Sequence, residues 1–145
     1  MKMKKQGFTL IELLVVIAII GLLSTLAVVA LGNARTKARD AKRMSDLKQL
    51  QTALELYYTD KNGYPTGATV NLGDTGAACL NSVSGFTTSP CSDAYMASVP
   101  KGPSNNEFYI YNSTASSTYT VTSTLEGTVN NLSGAVTLSP AGIAD

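Results

Sequence analysis

A run of apolar residues from Leu13 to Leu31, broken only by Gly21, Ser24 and Thr25 and free of charge, limits what this chain can be. At ~1.5 Å rise per residue, a helix of that run is about long enough to cross a ~30 Å hydrocarbon layer. Lys2, Lys4 and Lys5 precede it, and one acid, Glu12, stands at its leading edge between Ile11 and Leu13. A carboxylate there is poorly solvated and calls for a function. Two readings fit the residues. The run is a retained membrane helix, or it is a secretory signal with a basic start, an apolar middle and small residues at Val28 and Ala30, cut after Ala30. Its length and Glu12 speak against the signal. Charge leaves the orientation open, because Arg35, Lys37 and Arg39 flank the far end as the lysines flank the near one.

Beyond Gly32 the pattern changes without a break. Ala34, Ala38, Ala41, Met44, Leu47, Leu50, Leu54 and Tyr57 recur at spacings of three and four, the helical period. Arg35, Arg39, Arg43, Asp46 and Glu55 lie largely off that stripe. No proline falls between Phe8 and Lys61. The spacing predicts one helix from about Phe8 to about Lys61, roughly 80 Å long. Its parts are an apolar segment of membrane-spanning length at 8–32 and an amphipathic half at 33–61. Asn62-Gly63 supplies a left-handed stop, and Pro65 prevents continuation. The Leu47–Tyr57 stripe then lies under a globular head at 62–145.

Within the head, 66–106 reads as a connecting loop rich in Gly, Ser, Thr and Asn, with Pro90, Pro100 and Pro103. A short helix capped by Ser92 is predicted near Ser92–Ser98. The last third reads as strands at about 107–112, 118–125 and 135–139, with turns at Asn112–Ser117 and Gly127–Gly134. Tyr119, Val121 and Leu125 alternate with Thr120, Thr122 and Thr124, so the threonines face solvent. The fold class is α+β: a long N-terminal helix packed against a small antiparallel sheet.

Charge and chemistry exclude several functions. Residues 62–145 carry one lysine, Lys101, against five acids, which disfavours a head that binds nucleic acid by neutralising phosphates. The chain has no histidine, no Gly-rich phosphate loop and no metal-spaced cluster, so it is read as a non-enzyme without a cofactor. Cys79 and Cys91, twelve residues apart, are the only cysteines. In an exported domain they pair and close a loop worth about 3 kcal/mol. Free thiols and metal ligation are the competing readings, the latter poor without histidine. Asn112-Ser113-Thr114 and Asn131-Leu132-Ser133 fit the glycosylation sequon, a pattern that Ser/Thr/Asn-rich segments produce by chance.

The stretch G-F-T-L-I-E, from Gly7 to Glu12, followed by the long apolar run, resembles the N-terminus of type IV pilins and type II secretion pseudopilins. The resemblance implies a leader at 1–7, cut by a prepilin peptidase between Gly7 and Phe8, and N-methylation of Phe8. It implies an assembly role for Glu12, the fifth residue of the mature chain. It further implies a helical homo-oligomeric filament, built by a pilus or secretion machinery. Before assembly the subunit would span the inner membrane once, with its head outside the cytoplasm. A type IV pilus subunit is the first reading. A type II secretion pseudopilin is the alternative, and a static membrane-anchored or secreted binding domain is a further one. Gly21, Ser24 and Thr25 are the weakest helix formers in the run and the candidates for local melting in the fibre. Many pilins have a proline where this chain has Val29. Some pseudopilins ligate calcium through loop acids, for which Asp74, Asp93 and Glu107 are candidates. In V-P-K-G-P-S-N-N-E-F-Y, Gly102 stands where those proteins often carry an acid.

Overall fold

The computed structural model describes residues 7–145; Lys2, Lys4, Lys5 and all but the last residue of the expected leader lie outside them. One helix, α1, runs unbroken over Leu10–Lys61. It ends where Asn62 adopts φ 54°, the left-handed stop expected there. Tyr64 N then donates to Ser116 O (2.7 Å), and Tyr111 Oη donates to Pro65 O (2.6 Å). The chain leaving α1 is thereby tied to the sheet.

The head contains two antiparallel sheets. The larger has five strands: β1 (Gly67–Leu72), β5 (Tyr109–Ala115), β6 (Thr118–Val129), β7 (Leu132–Ser139) and β8 (Gly142–Ala144), in the order β1-β5-β6-β7-β8. The smaller is formed by β2 (Cys79–Asn81), β3 (Gly85–Thr87) and β4 (Ala94–Met96), in the order β3-β2-β4. A short 3-10 turn, Thr75–Ala77, connects β1 to β2.

Four expectations are corrected here. The stretch 66–106 is no mere connection, since it carries β1 to β4. β1 pairs with β5, with Leu72 opposite Tyr109, a partner distant in sequence that local patterning does not reveal. The segment predicted as a helix at Ser92–Ser98 holds β4, which pairs with β2. The strands expected at 107–112, 118–125 and 135–139 are displaced or longer, at 109–115, 118–129 and 132–139. The turn expected over Gly127–Gly134 shrinks to Asn130-Asn131, both at positive φ (51° and 67°), as a two-residue hairpin with matching twist requires.

The core forms where Leu47, Leu50, Ala53 and Leu54 of α1 meet Tyr109, Tyr111, Tyr119, Val121, Leu125, Val136 and Leu138 of the larger sheet. β6 alternates as predicted: Tyr119, Val121 and Leu125 are buried, and Thr118, Thr120, Thr122 and Thr124 are exposed. Aromatic contacts run through this core from Tyr58 to Tyr64, Tyr119, Tyr111 and Phe86, with successive centroids 4.7, 4.6, 5.9 and 4.9 Å apart. Such pairs add about 0.5–1.5 kcal/mol each beyond their buried area.

The buried face of α1 differs from the expected stripe in one place. Ala34, Ala38 and Ala41 are exposed, while Asp40, Arg43 and Asp46 are buried. The helical period explains this. Counting back by 3.6 from Leu54, Leu50 and Leu47 leads to Arg43, Asp40 and Thr36, not to the alanines. A charged residue on a buried face needs partners, and these residues have them.

Candidate functional site

The polar atoms at the start of α1 form a capping box. Thr9 N and Thr9 Oγ1 both donate to Glu12 Oε2, at 2.8 and 2.6 Å, and Glu12 N donates back to Thr9 Oγ1 at 3.3 Å. Thr9 O accepts the first helical bond from Leu13 N (3.3 Å). Two otherwise unpaired donors at the helix start are satisfied reciprocally. A carboxylate at this end also meets the positive pole of the helix dipole. The acid in the apolar run therefore has local compensation, which lowers its cost in a bilayer. Thr9-Leu10-Ile11-Glu12 is a T-x-x-E pattern, legible as a cap but obscured by the apolar residues around it.

The side chains following this cap face outward on all sides. Leu10, Ile11, Leu13, Ile17, Ile20, Leu22, Leu23 and Leu26 are each more than half exposed. The helix passes through Gly21, Ser24 and Thr25 without interruption, and Thr25 Oγ1 donates to Leu22 O (2.8 Å). No side chain approaches the open side of Gly21. An apolar cylinder of this kind is soluble only when bilayer or other subunits cover it.

Farther along α1, Arg43 is 3% exposed and lies at the centre of three carboxylates. Its Nη1 donates to Asp40 Oδ1 (2.6 Å), and its Nε and Nη2 donate to Glu107 Oε1 and Oε2 (2.6 and 2.9 Å). Nη2 also donates to Glu126 Oε1 (2.8 Å), while Arg39 holds the same carboxylate by a second ion pair. Asp40 in turn accepts from the backbone N–H groups of Glu126 and Gly127 (3.0 and 2.8 Å), in the stretch where the β6–β7 register shifts. Asp46 accepts from Tyr109 Oη (2.7 Å) and Lys42 Nζ (3.1 Å). Arg39 and Arg43 hold the Glu126 carboxyl down at about 2, and Arg43 holds that of Glu107 below its usual range. Burial, then the bond to Asp46, raises the Tyr109 phenol well above its ordinary value.

Cys79 and Cys91 are joined in a disulfide that links β2 to the irregular segment between β3 and β4. The calcium candidates do not converge. Asp74 accepts from Thr75 N (2.7 Å), Asp93 sits at φ 50°, and Glu107 is taken by Arg43. Among the described residues no group of three His, Cys, Asp or Glu side chains is placed to hold a metal ion.

One long helix, apolar on every side in its first half, capped by an acid and carrying an antiparallel sheet on its second half, defines the pilin and pseudopilin class of filament subunits. The family profile "Prokaryotic N-terminal methylation motif" matches residues 2–28, and "Type II secretion system (T2SS), protein G" matches residues 30–135. The chain belongs to the type II secretion system protein G family. It is 33% identical over 109 residues to a type II secretion system core protein G of Escherichia coli, covering 75% of this chain and 73% of that one. It is 45% identical over 65 residues to the protein of the same name from Aeromonas hydrophila, covering 45% of this chain and 46% of the relative. The type IV major pilin protein PilA of Myxococcus xanthus is 34% identical over 61 residues, 42% of this chain and 28% of that pilin. No solved structure matches the chain. The family is structural, anchored in a membrane by its apolar helix and assembled into filaments by secretion or pilus machinery.

Proposed function

We propose that this chain is the filament subunit of a type II secretion system. The single observation that carries the proposal is an acid in the first turn of a helix whose first half is otherwise apolar and exposed on every side. An anchor alone has no use for that acid, whereas a stack of such helices uses it for register. The subunit waits in the inner membrane, crossing once, with its head outside the cytoplasm. A prepilin peptidase cuts between Gly7 and Phe8, and the new amine of Phe8 is methylated, which preserves its positive charge. Glu12 then accepts the ammonium of Phe8 of a neighbouring copy. At an effective dielectric near 20, unit charges at ~4 Å attract by about 4 kcal/mol before desolvation is subtracted. The incoming subunit thus gains both drive and register. The chain has no catalytic role; the heads cover the outside of a homo-oligomeric helical fibre.

The match of residues 30–135 to the secretion family supports the secretion reading over the pilus. The similarity to the Myxococcus pilin keeps the type IV pilus subunit as the second reading. Deleting the gene in its own cell separates them. Loss of protein export with surface fibres unchanged supports secretion; loss of surface pili with export intact supports the pilus. Intact-mass analysis tests maturation, because the proposed product begins at Phe8 and carries one methyl group. A product beginning at Leu31 would establish the signal-peptide reading and remove both.

A further inference from the structure

The resemblance of this chain to calcium-binding pseudopilins leads one to expect a divalent ion among its loop acids, and their placement does not fit one. Glu107, the candidate nearest the loop, spends both oxygens on Arg43, and its Oε2 also accepts from Ser104 N (3.1 Å). A guanidinium stands where an ion would have to gather ligands. It is planar, permanently charged and rich in donors, and it reaches α1, the loop before β5 and the β6 irregularity at once.

A second observation comes from Gly102. A Cβ placed there would collide with the Cβ, Cγ and Cδ of Glu107. Gly102 N donates to Glu107 O (2.9 Å), so the two residues are fixed against each other. The space that any side chain at 102 needs is filled by Glu107 as it folds back towards Arg43. An acid at 102 and the Glu107–Arg43 pair are therefore mutually exclusive without rearrangement. The position where the resemblance expects a ligand is the one that must be bare for the arginine to be reached.

We propose that Arg43 is the built-in cation of the head, fastening the 100–107 loop and β6 to α1 as a divalent ion would, with Gly102 as the residue that makes room. Asp40, Glu107 and Glu126 supply three negative charges, and Arg43 with Arg39 supplies two positive ones. A divalent ion entering this site would meet the guanidinium at short range and be repelled. The head is therefore independent of divalent ions and dependent on arginine and glycine at these two positions.

Thermal unfolding of the full-length subunit in detergent, followed by near-ultraviolet circular dichroism, tests this with excess EDTA and with millimolar calcium. The wild-type midpoint should be the same in both. A specific ion at ~100 times its dissociation constant would separate them by about 10 °C. Arg43→Lys keeps the charge but loses the fork, and should lower the midpoint by about 10 °C or more in either condition. Gly102→Ala is the milder variant should Arg43→Lys fail to fold. It should lower the midpoint by several degrees, and that loss should largely vanish in the Glu107→Gly background, which removes all three colliding atoms. A wild-type midpoint that falls in EDTA or rises in calcium overturns the proposal. So does an Arg43→Lys protein that melts like wild type, or a Gly102→Ala effect that persists without the Glu107 side chain.

Discussion

Leu23 and Leu50 lie on the same helix, yet Leu23 is 59% exposed and Leu50 has no exposure at all. The contrast extends to the segments around them. From Leu10 to Leu31 every side chain faces outward, and the internal polar contacts are the Thr9–Glu12 box and the Thr25 back-bond. From Thr36 onward, one face is packed against the sheet and its charges are paired. Helical hydrogen bonding is common to both halves, so it explains neither. The second half is specified by contacts within its own chain. The first has no such packing among the described residues, and its few polar atoms are those of the Thr9–Glu12 box and the Thr25 back-bond.

The largest effect should come from removing one of those atoms. Glu12→Ala loses both the cap and the charge; Glu12→Gln keeps a capping side chain and loses only the charge. Both variants should insert and be cleaved, and both should lose fibres, scored by electron microscopy of sheared material. Wild-type fibre yield from Glu12→Gln would transfer the role of Glu12 from charge pairing to capping.

A matched pair of truncations addresses the two halves directly. Leu50→Ala should destabilise the head by about 2–5 kcal/mol, because it leaves a cavity in a packed core. Leu23→Ala has no core to damage and should leave denaturant unfolding of the head within about 0.5 kcal/mol of wild type. Equal effects would mean that the exposed half is packed against the head in solution. Next in size is the disulfide. Reducing Cys79–Cys91 should cost about 3 kcal/mol by loop-closure entropy, read as a lower unfolding midpoint in reductant.

The two halves also differ in how far they can be read from the chain. The apolar run, the stop at Asn62 and the alternation of β6 are legible because each is a local pattern of several residues. β2, β3 and β4 have three residues each, too few to show a period, and β1 is defined by its pairing with β5. The charged cluster was missed for a different reason. Reading charged positions as outward-facing places Arg43 and Asp46 in solvent and overlooks Asp40 altogether. Helix geometry puts all three on the face that continues from Leu47, Leu50 and Leu54. The rule that charges face water holds only for charges without partners, and the partners Glu107 and Glu126 come from distant strands.

Acid provides the mildest test of the contrast, because it acts on the charged cluster of the second half. Arg39 and Arg43 lower the Glu126 carboxyl from the usual 4.5 to about 2, and Arg43 lowers that of Glu107. A carboxyl depressed on folding stabilises the native state fully above its unfolded value. That contribution fades as pH falls through the folded value. The head should therefore lose stability progressively between about pH 4.5 and about pH 2, and gain none from the pair on going higher. Because Glu126 is one-third exposed, water screens its ion pairs and the change should be gradual. Glu126→Gln should be less stable at neutral pH and flatter across that window, measured by near-ultraviolet circular dichroism at stepped pH. Fibre contacts made by Glu12 would add a second acid-sensitive step only in assembled material, since the pairing partner is another chain. An isolated subunit and a fibre that lose structure along the same curve would place all the acid sensitivity in the head and none at Glu12.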